Sequence, residues 1–598
     1  MVSSASGSGE LRRTPWFRRV GSNPVLAAFV LLAVTIAAHW PAVHADILWD
    51  DIVQITDNTT LHGPDALWRI WFEPKASPNY YPLLFTTFWF DYRLTNLNLA
   101  IAHGVNILLQ ALCGLVLWRV LKRLGVHGAW FAAALFAVHP VTVESVAWLI
   151  ERKNTLSLLL FLLSALMLLR MEGAQKTHAG IWRAAFTPWP AYCAALVLFA
   201  AALFAKTSVI MLPPLLLLSA WWRRGRVTWA DMLRAAPLFV MAAVLGYVTV
   251  WHESTSYFLT AEQDPRPEGP LSCLAASGWC LWFYLYKLVL PVRLSMLYPR
   301  WDVDPTSVLS WLPLAGLLVV AVAAWCRRQT WGRPLLVAMI AWVVMLLPVL
   351  GISDIGLFHY SLVTDHWQHP AMWLPLALAA ATGARLFGRS PWASACKVVA
   401  AVVLLCVCSA LTWSRANVYD SAVAVWADAA EKHPAGWGPR YLLGLSQVGV
   451  NDLNAAIGNL HMANELRPDD VPILCNLGGA LVRQQKYDEA VLYLHRAVVL
   501  APGSPEANFN LGIALQSLGR IDEAIAAYRN ALARGTARGR IAPTKIAVAH
   551  VRLAVALQTR GDIDEAIDQC RTALSIVPDL DMARRVLASL RVERGSIE

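Results

Sequence analysis

The sequence predicts an all-α protein in two parts, a polytopic membrane helix bundle of about eleven spans followed by an α-solenoid of helical repeats. Three observations carry the prediction. Hydrophobic residues make up 57% of the chain, only 15% are charged, and the mean hydropathy is +0.47, a balance that belongs to a chain largely embedded in lipid. Apolar runs of roughly the length that crosses about 30 Å of hydrocarbon recur from residue 24 to residue 413 and then stop. After residue 413, small residues return at a fixed spacing.

Residues 1–23 form a basic segment, with Arg12, Arg13, Arg18 and Arg19 before the first run; together they read as an uncleaved signal anchor. The expected spans lie near 24–43, 99–121, 129–149, 154–170, 190–205, 207–222, 236–252, 308–326, 334–352, 369–387 and 394–413. Basic residues cluster at the N-terminus and at Arg119/Lys122/Arg123, Arg170/Lys176/Arg183, Arg223/Arg224/Arg226/Arg234, Arg327/Arg328/Arg333 and Arg385/Arg389/Lys397, which places those loops in the cytoplasm. Alternation then holds only if residues 273–290 do not cross, so this Trp- and Tyr-rich stretch reads as an interfacial or re-entrant element. The extracytoplasmic face receives loops 44–98, 150–153, 253–307 and 353–368, with everything after Trp413. A bacterial inner membrane fits the composition. The net charge of +10 resides in these short loop clusters, a membrane pattern and not a nucleic-acid-binding surface. The ten cysteines form no CxxC pair and no disulfide framework.

In residues 414–598, Gly444, Gly478 and Gly512 stand 34 residues apart, each followed at twelve and nineteen residues by alanines: Ala456/Ala463, Ala490/Ala497 and Ala524/Ala531. Pro468 and Pro502 close the first two units. This is the tetratricopeptide spacing, in which small residues let two helices approach closely and proline ends the second. Repeats fall at about 437–470, 471–504, 505–538 and, after an insert at Gly539–Ile546, 547–580, with a cap at 581–598; Ala422, Trp426, Ala429 and Pro434 form a preceding half unit. Such arrays present a concave groove that holds a peptide, or serve as an assembly scaffold.

The polar segment Ala45–Thr60 directly follows the first span and carries the adjacent carboxylates Asp50 and Asp51. The stretches WDDIVQITDN, NYYPLLFTTFWFD, HGVNILLQ and FAVHPVTVESVAWLIERKNTLS, then LFAKTSVIMLPPLLLL, YLYKLVLPVRLSMLYP and LPVLGISDIG, resemble the membrane region of the transmembrane and tetratricopeptide-repeat-containing O-mannosyltransferases and their bacterial relatives. The resemblance implies a glycosyltransferase of the GT-C architecture in residues 24–413. It implies a polyprenyl-phosphate-linked sugar as donor, mannose in the named family, and a protein Ser or Thr hydroxyl as acceptor. An outward-facing site needs such a donor on physical grounds as well, because nucleotide sugars are confined to the cytoplasm. Displacement at the anomeric carbon requires a carboxylate base and cations for the departing phosphate.

Asp51 is the first choice for the base and Asp50 the second, since they match the family's paired acids; adjacent aspartates fit a divalent metal ligand equally well. Arg152 and Lys153 break the positive-inside pattern and are the candidates for the donor phosphate, with His366. His139, Glu144, His103, Asp365 and Tyr81 are candidate site-lining residues, Glu144 because a carboxylate in an apolar stretch needs a partner. Where relatives often read Asp-Arg-Tyr, this chain reads Asp365-His366-Trp367; Asn154 stands where an acid often follows Arg-Lys, and Tyr81 where histidine often precedes proline. The competing readings are transfer to a lipid or surface glycan, and a non-catalytic envelope scaffold.

Overall fold

The computed structural model describes residues 23–172, 186, 188–255, 269–351, 356–386, 391–537 and 543–597. The N-terminal arginines, Lys176, Arg183, Arg389 and residues 539–542 of the insert lie outside them. Among the described residues the secondary structure is helical, with no strand. The chain divides into two compact units. The larger takes the membrane helices as far as Ser421, and the smaller takes Ala422–Glu598 with the short stretch Leu297–Trp301.

In the larger unit, among the described residues, seven helices are long and apolar enough to cross a membrane: Pro24–His44, Leu99–Arg123, Leu149–Met171, Trp229–His252, Val308–Cys326, Gly332–Val349 and Ala395–Asp420. The run at 129–149 is a broken pair, Ala129–Ala137 and Pro140–Ala147, bent by 48°. Pro140 supplies the break, since it lacks an N–H and disfavours helical geometry in the residue before it. The remaining three expected spans are shorter helices, Trp189–Ala205, Leu212–Arg224 and Trp373–Leu386, of 17, 13 and 14 residues. Residues 273–289 lie in one continuous helix, Pro270–Val289, which Leu290 ends, without the chain reversal a re-entrant loop needs.

Local chemistry sets the ends of these helices. Asn23 caps the first, its side-chain oxygen accepting from the N–H of Val25 and Leu26 at 3.0 and 3.2 Å. Asn98 caps Leu99–Arg123 in the same way, and Lys122 and Arg123 occupy its negative end. Inside the bundle, a Cβ on Gly114 would lie 2.9 Å from the Ala137 methyl, so glycine permits this close helix approach.

The smaller unit is a stack of helical hairpins: Trp437–Gly449 with Leu453–Leu466, Val471–Arg483 with Tyr487–Leu500, Pro505–Ser517 with Ile521–Ala537, and Pro543–Arg560 with Ile563–Ile576. Ala422–Lys432 precedes the stack and Asp581–Ile597 follows it. The 34-residue glycines face the second helix of their own hairpin, where a Cβ would come within 2.7 Å of Leu460, 2.4 Å of Leu494 and 2.6 Å of Tyr528. Each hairpin turns through one residue of positive φ, at Asn451, Gln485, Gly519 and Gly561.

Gly478→Ala should therefore overpack the second hairpin and destabilise it by about 1–3 kcal/mol. Hydrogen–deuterium exchange on the full-length protein should show protection lost across Val471–Leu500, and unchanged protection there would refute the packing role.

Candidate functional site

The first loop is fixed by Asp51. Its side chain is fully buried; Oδ2 accepts from the Leu48 N–H at 2.9 Å and Oδ1 from the Ile150 N–H at 2.7 Å. Both oxygens are thus spent on backbone, joining the loop to the turn that precedes Arg152. Burial pushes this carboxyl up to about 8, against the two amide donors, which favour the charged form.

Asp50 differs from its neighbour. It is half-buried, and its Oδ2 accepts from Gln54 Nε2 at 3.3 Å, while Gln54 Oε1 accepts from Asn79 at 3.0 Å. Burial raises its proton affinity, opposed chiefly by the positive charge of Lys153. The backbone around the pair is irregular: Trp49 has φ of 31°, and Ile52–Thr56 forms a single π-helical turn. Left-handed non-glycine residues and π turns cost free energy and gather at functional sites. Trp49 lies parallel to Trp148 with ring centroids 6.4 Å apart, and Tyr360 meets it edge-on at 5.5 Å.

The other half of the cluster surrounds Glu151, which is 1% exposed. Lys153 Nζ lies 2.7 Å from Oε1, Lys206 Nζ 3.6 Å from Oε2, and Asn154 Nδ2 donates to Oε2 at 2.6 Å. Lys206 also donates to Asn154 Oδ1 at 2.7 Å. The two lysine side chains are 12% exposed, so they reach the edge of the cluster while Glu151 lies inside it. Glu144 binds His366 twice, at the backbone N–H (3.1 Å) and at Nδ1 (2.7 Å).

Arg152 points the other way. Its side chain is fully buried, donating to Asn106 Oδ1 (2.8 Å), Thr87 Oγ1 (3.2 Å), Asp91 Oδ2 (2.6 Å) and the Ala102 carbonyl (2.9 Å), with the guanidinium 4.4 Å from the centre of the Phe88 ring. These partners hold the bundle together and leave the guanidinium no opening toward a ligand. His139 sits at the broken span, its Nδ1 accepting from the Val141 N–H and its Nε2 donating to the Leu288 carbonyl at 3.0 Å. Tyr81 directly precedes helix Pro82–Thr95, His103 is buried beside Arg152, and Asp365 is 3% exposed next to His366.

The structure thus brings together Asp50, Glu144, Lys153 and His366 of the sequence candidates. It adds Glu151, Lys206, Asn154 and Gln54, and gives Arg152 the partner Asp91. Lys206 and Glu151 were within reach of sequence reasoning, because each is a charge set in a largely apolar stretch and such charges require partners. Among the described residues, no group of three or more His, Cys, Asp or Glu side chains is placed to hold a metal ion.

Fold and site define an integral membrane helix bundle with a buried ionic cluster, joined in sequence to a tetratricopeptide array. A family model described as tetratricopeptide repeat matches residues 441–505, 475–539 and 509–581. Human protein O-mannosyl-transferase TMTC1 is 33% identical over 181 residues, covering 28% of this chain and 20% of the relative. Human TMTC3 is 28% identical over 158 residues (25% and 17%), and the Caenorhabditis elegans protein O-mannosyl-transferase F38B6.6 is 30% identical over 161 residues (25% and 23%). The matches span about a fifth of the length of these relatives. The chain resembles this family of repeat-bearing membrane transferases. Among solved structures, a MamA chain from residue 41 to the end, from Desulfovibrio magneticus RS-1, matches with TM-score 0.24 at 19% identity, covering 27% of this chain and 85% of that one. The tetratricopeptide protein YrrB matches with TM-score 0.24 at 23% identity, covering 32% and 89%.

Two substitutions separate the roles of the neighbouring aspartates. Asp51→Asn puts an amide N–H₂ against a backbone N–H and should destabilise the bundle by about 1–3 kcal/mol, whereas Asp50→Asn should leave it unchanged; thermal unfolding in detergent reads both, and equal losses would refute the distinction. Arg152→Ala strands Asp91 without its cation and should cost about 3–5 kcal/mol, seen as a lower yield of folded protein.

Proposed function

We propose that the protein is a membrane glycosyltransferase moving a sugar, mannose by likeness to its relatives, from a polyprenyl-phosphate donor to a Ser or Thr hydroxyl of a protein on the extracytoplasmic face. The observation that carries this is the polar cluster in which a half-buried carboxylate, Asp50, lies in the field of Lys153, which with Lys206 is drawn to one buried acid. A carboxylate with a raised proton affinity and two partly exposed ammonium groups are the base and the phosphate cations that displacement at an anomeric carbon needs. The names of the relatives support the same reaction class.

In this reading Asp50 takes the proton of the acceptor hydroxyl, and Asp51 holds the loop from which it acts, reversing the order in which the sequence ranks them. Lys153 and Lys206 receive the phosphate oxygens, so the role expected of Arg152 passes to Lys206. Trp49, partly exposed and backed by the buried Trp148, offers an apolar face on which a sugar ring can lie. The tetratricopeptide groove presents the protein acceptor, with the repeats outside a bacterial inner membrane and the N-terminus inside the cell.

The test is transfer in proteoliposomes from radiolabelled polyprenyl-phosphate mannose into a periplasmic protein extract. Asp50→Ala should lower the rate at least about 100-fold, and the Lys153→Ala/Lys206→Ala pair should do so mainly through donor affinity. Label entering lipid or glycan would move the acceptor to that class, and full activity of Asp50→Ala would refute the base. Because burial raises the Asp50 proton affinity, the base is lost as pH falls through a value above the ordinary aspartate pKa of about 4; the acid limb of kcat/KM should lie there.

A further inference from the structure

We propose that His366 donates a proton to the departing phosphate and that Glu144 is the residue that positions it, an inference that rests on the transfer reaction proposed above. One carboxylate, 3% exposed, receives both hydrogens on the near side of His366: Glu144 Oε2 accepts from its backbone N–H at 3.1 Å and Oε1 from Nδ1–H at 2.7 Å. This double grip fixes the ring with one proton on Nδ1, so that a second proton, carried on Nε2 in the imidazolium form, is the one available for chemistry.

Nε2 faces the anion-holding end of the cluster. It lies 3.9 Å from Glu151 Oε1, too far for a hydrogen bond, and that oxygen is the one Lys153 holds at 2.7 Å. A phosphate oxygen attracted to the two lysines therefore comes within reach of Nε2. Trp148 packs edge-on against the His366 ring with centroids 5.6 Å apart, and its Nε1–H is buried with no acceptor among the described residues. A buried donor without a partner at this place points to an acceptor that the chain does not supply.

The step balances as follows. The acceptor oxygen bonds to the anomeric carbon and its proton passes to Asp50. The bond from that carbon to the phosphate oxygen breaks, its electron pair stays on the oxygen, and the Nε2 proton of His366 neutralises part of the new charge. Polyprenyl phosphate leaves as a singly protonated monoester, and proton exchange with solvent resets Asp50 and His366. Imidazole suits the task, since Nε2 can give and take a proton while Nδ1 keeps its bond to Glu144. The charged and titratable groups set about the ring are Glu144 from the helix of the broken span, Glu151 from the turn into the next helix, Lys153 from the first turn of that helix, Asp50 from the first loop, Asp365 and His369 from its own stretch of chain, and Lys206 on the far side of Glu151.

The experiment is the pH dependence of kcat and KM for polyprenyl-phosphate mannose, measured with the full-length protein in proteoliposomes. Wild type should lose kcat on the alkaline side as Nε2 gives up its proton. His366→Gln should lower kcat about 100-fold with KM little changed and should abolish the alkaline limb. Glu144→Gln, which keeps the ring, should displace that limb and lower kcat. An alkaline limb that persists in His366→Gln overturns the proton donor, and one that does not move in Glu144→Gln overturns the positioning role even where His366→Gln fails to fold. A wild-type protein that transfers no sugar overturns the proposed reaction and this step with it, whereas an active protein with unmoved limbs overturns this step alone.

Discussion

The larger unit depends on how it neutralises a carboxylate buried among membrane helices. Glu151 is 1% exposed, and a charge so placed is tolerated only where cations and hydrogen-bond donors surround it. Lys153, Lys206 and Asn154 meet that requirement from two separate stretches of chain, and the His366 carbonyl, from a third, receives Asn154. The acid therefore gathers the polar end of the bundle into one place. The same attraction keeps two lysines together that would otherwise repel each other.

Around this centre the bundle separates fully buried from partly exposed charges, using pairs of adjacent residues. Asp51 and Arg152 are fully buried and committed to backbone, Asp91, Asn106 and Thr87, whereas Asp50 and Lys153 reach the partly open side. The arrangement is a physical necessity for a site on a membrane protein, where the loop must be rigid although few backbone partners exist outside the helices. The strained Trp49 and the π turn after Asp51 persist because Asp51 over-determines the loop between them.

Sequence reasoning reached the neighbourhood of the polar cluster but not which member of each charged pair is buried. It reached Asp50, Asp51 and His366 through the motifs that resemble the O-mannosyltransferase family, and Arg152, Lys153 and Glu144 through charges set in or beside apolar runs. Lys206 carried the same signal and was passed over, lying between two runs that read as separate spans. Arg152 and Lys153 begin the same helix, where consecutive residues point about 100° apart; which of them faces Asp91 and which Glu151 depends on how that helix is rotated against its neighbours.

By itself, the sequence determined the helical class, the position of the apolar runs and the register of the repeats, because these follow from local periodicity and from steric demands that repeat every 34 residues. Gly478 has to be small wherever Leu494 stands 2.4 Å from its absent Cβ, and that necessity is written in the spacing. Only the tertiary structure decided which runs are single long helices, which break as at Pro140, and which member of each charged pair meets an opening. Those outcomes rest on contacts between residues far apart in the chain, such as Ile150 with Asp51 and His366 with Glu144, and a one-dimensional pattern carries no term for them.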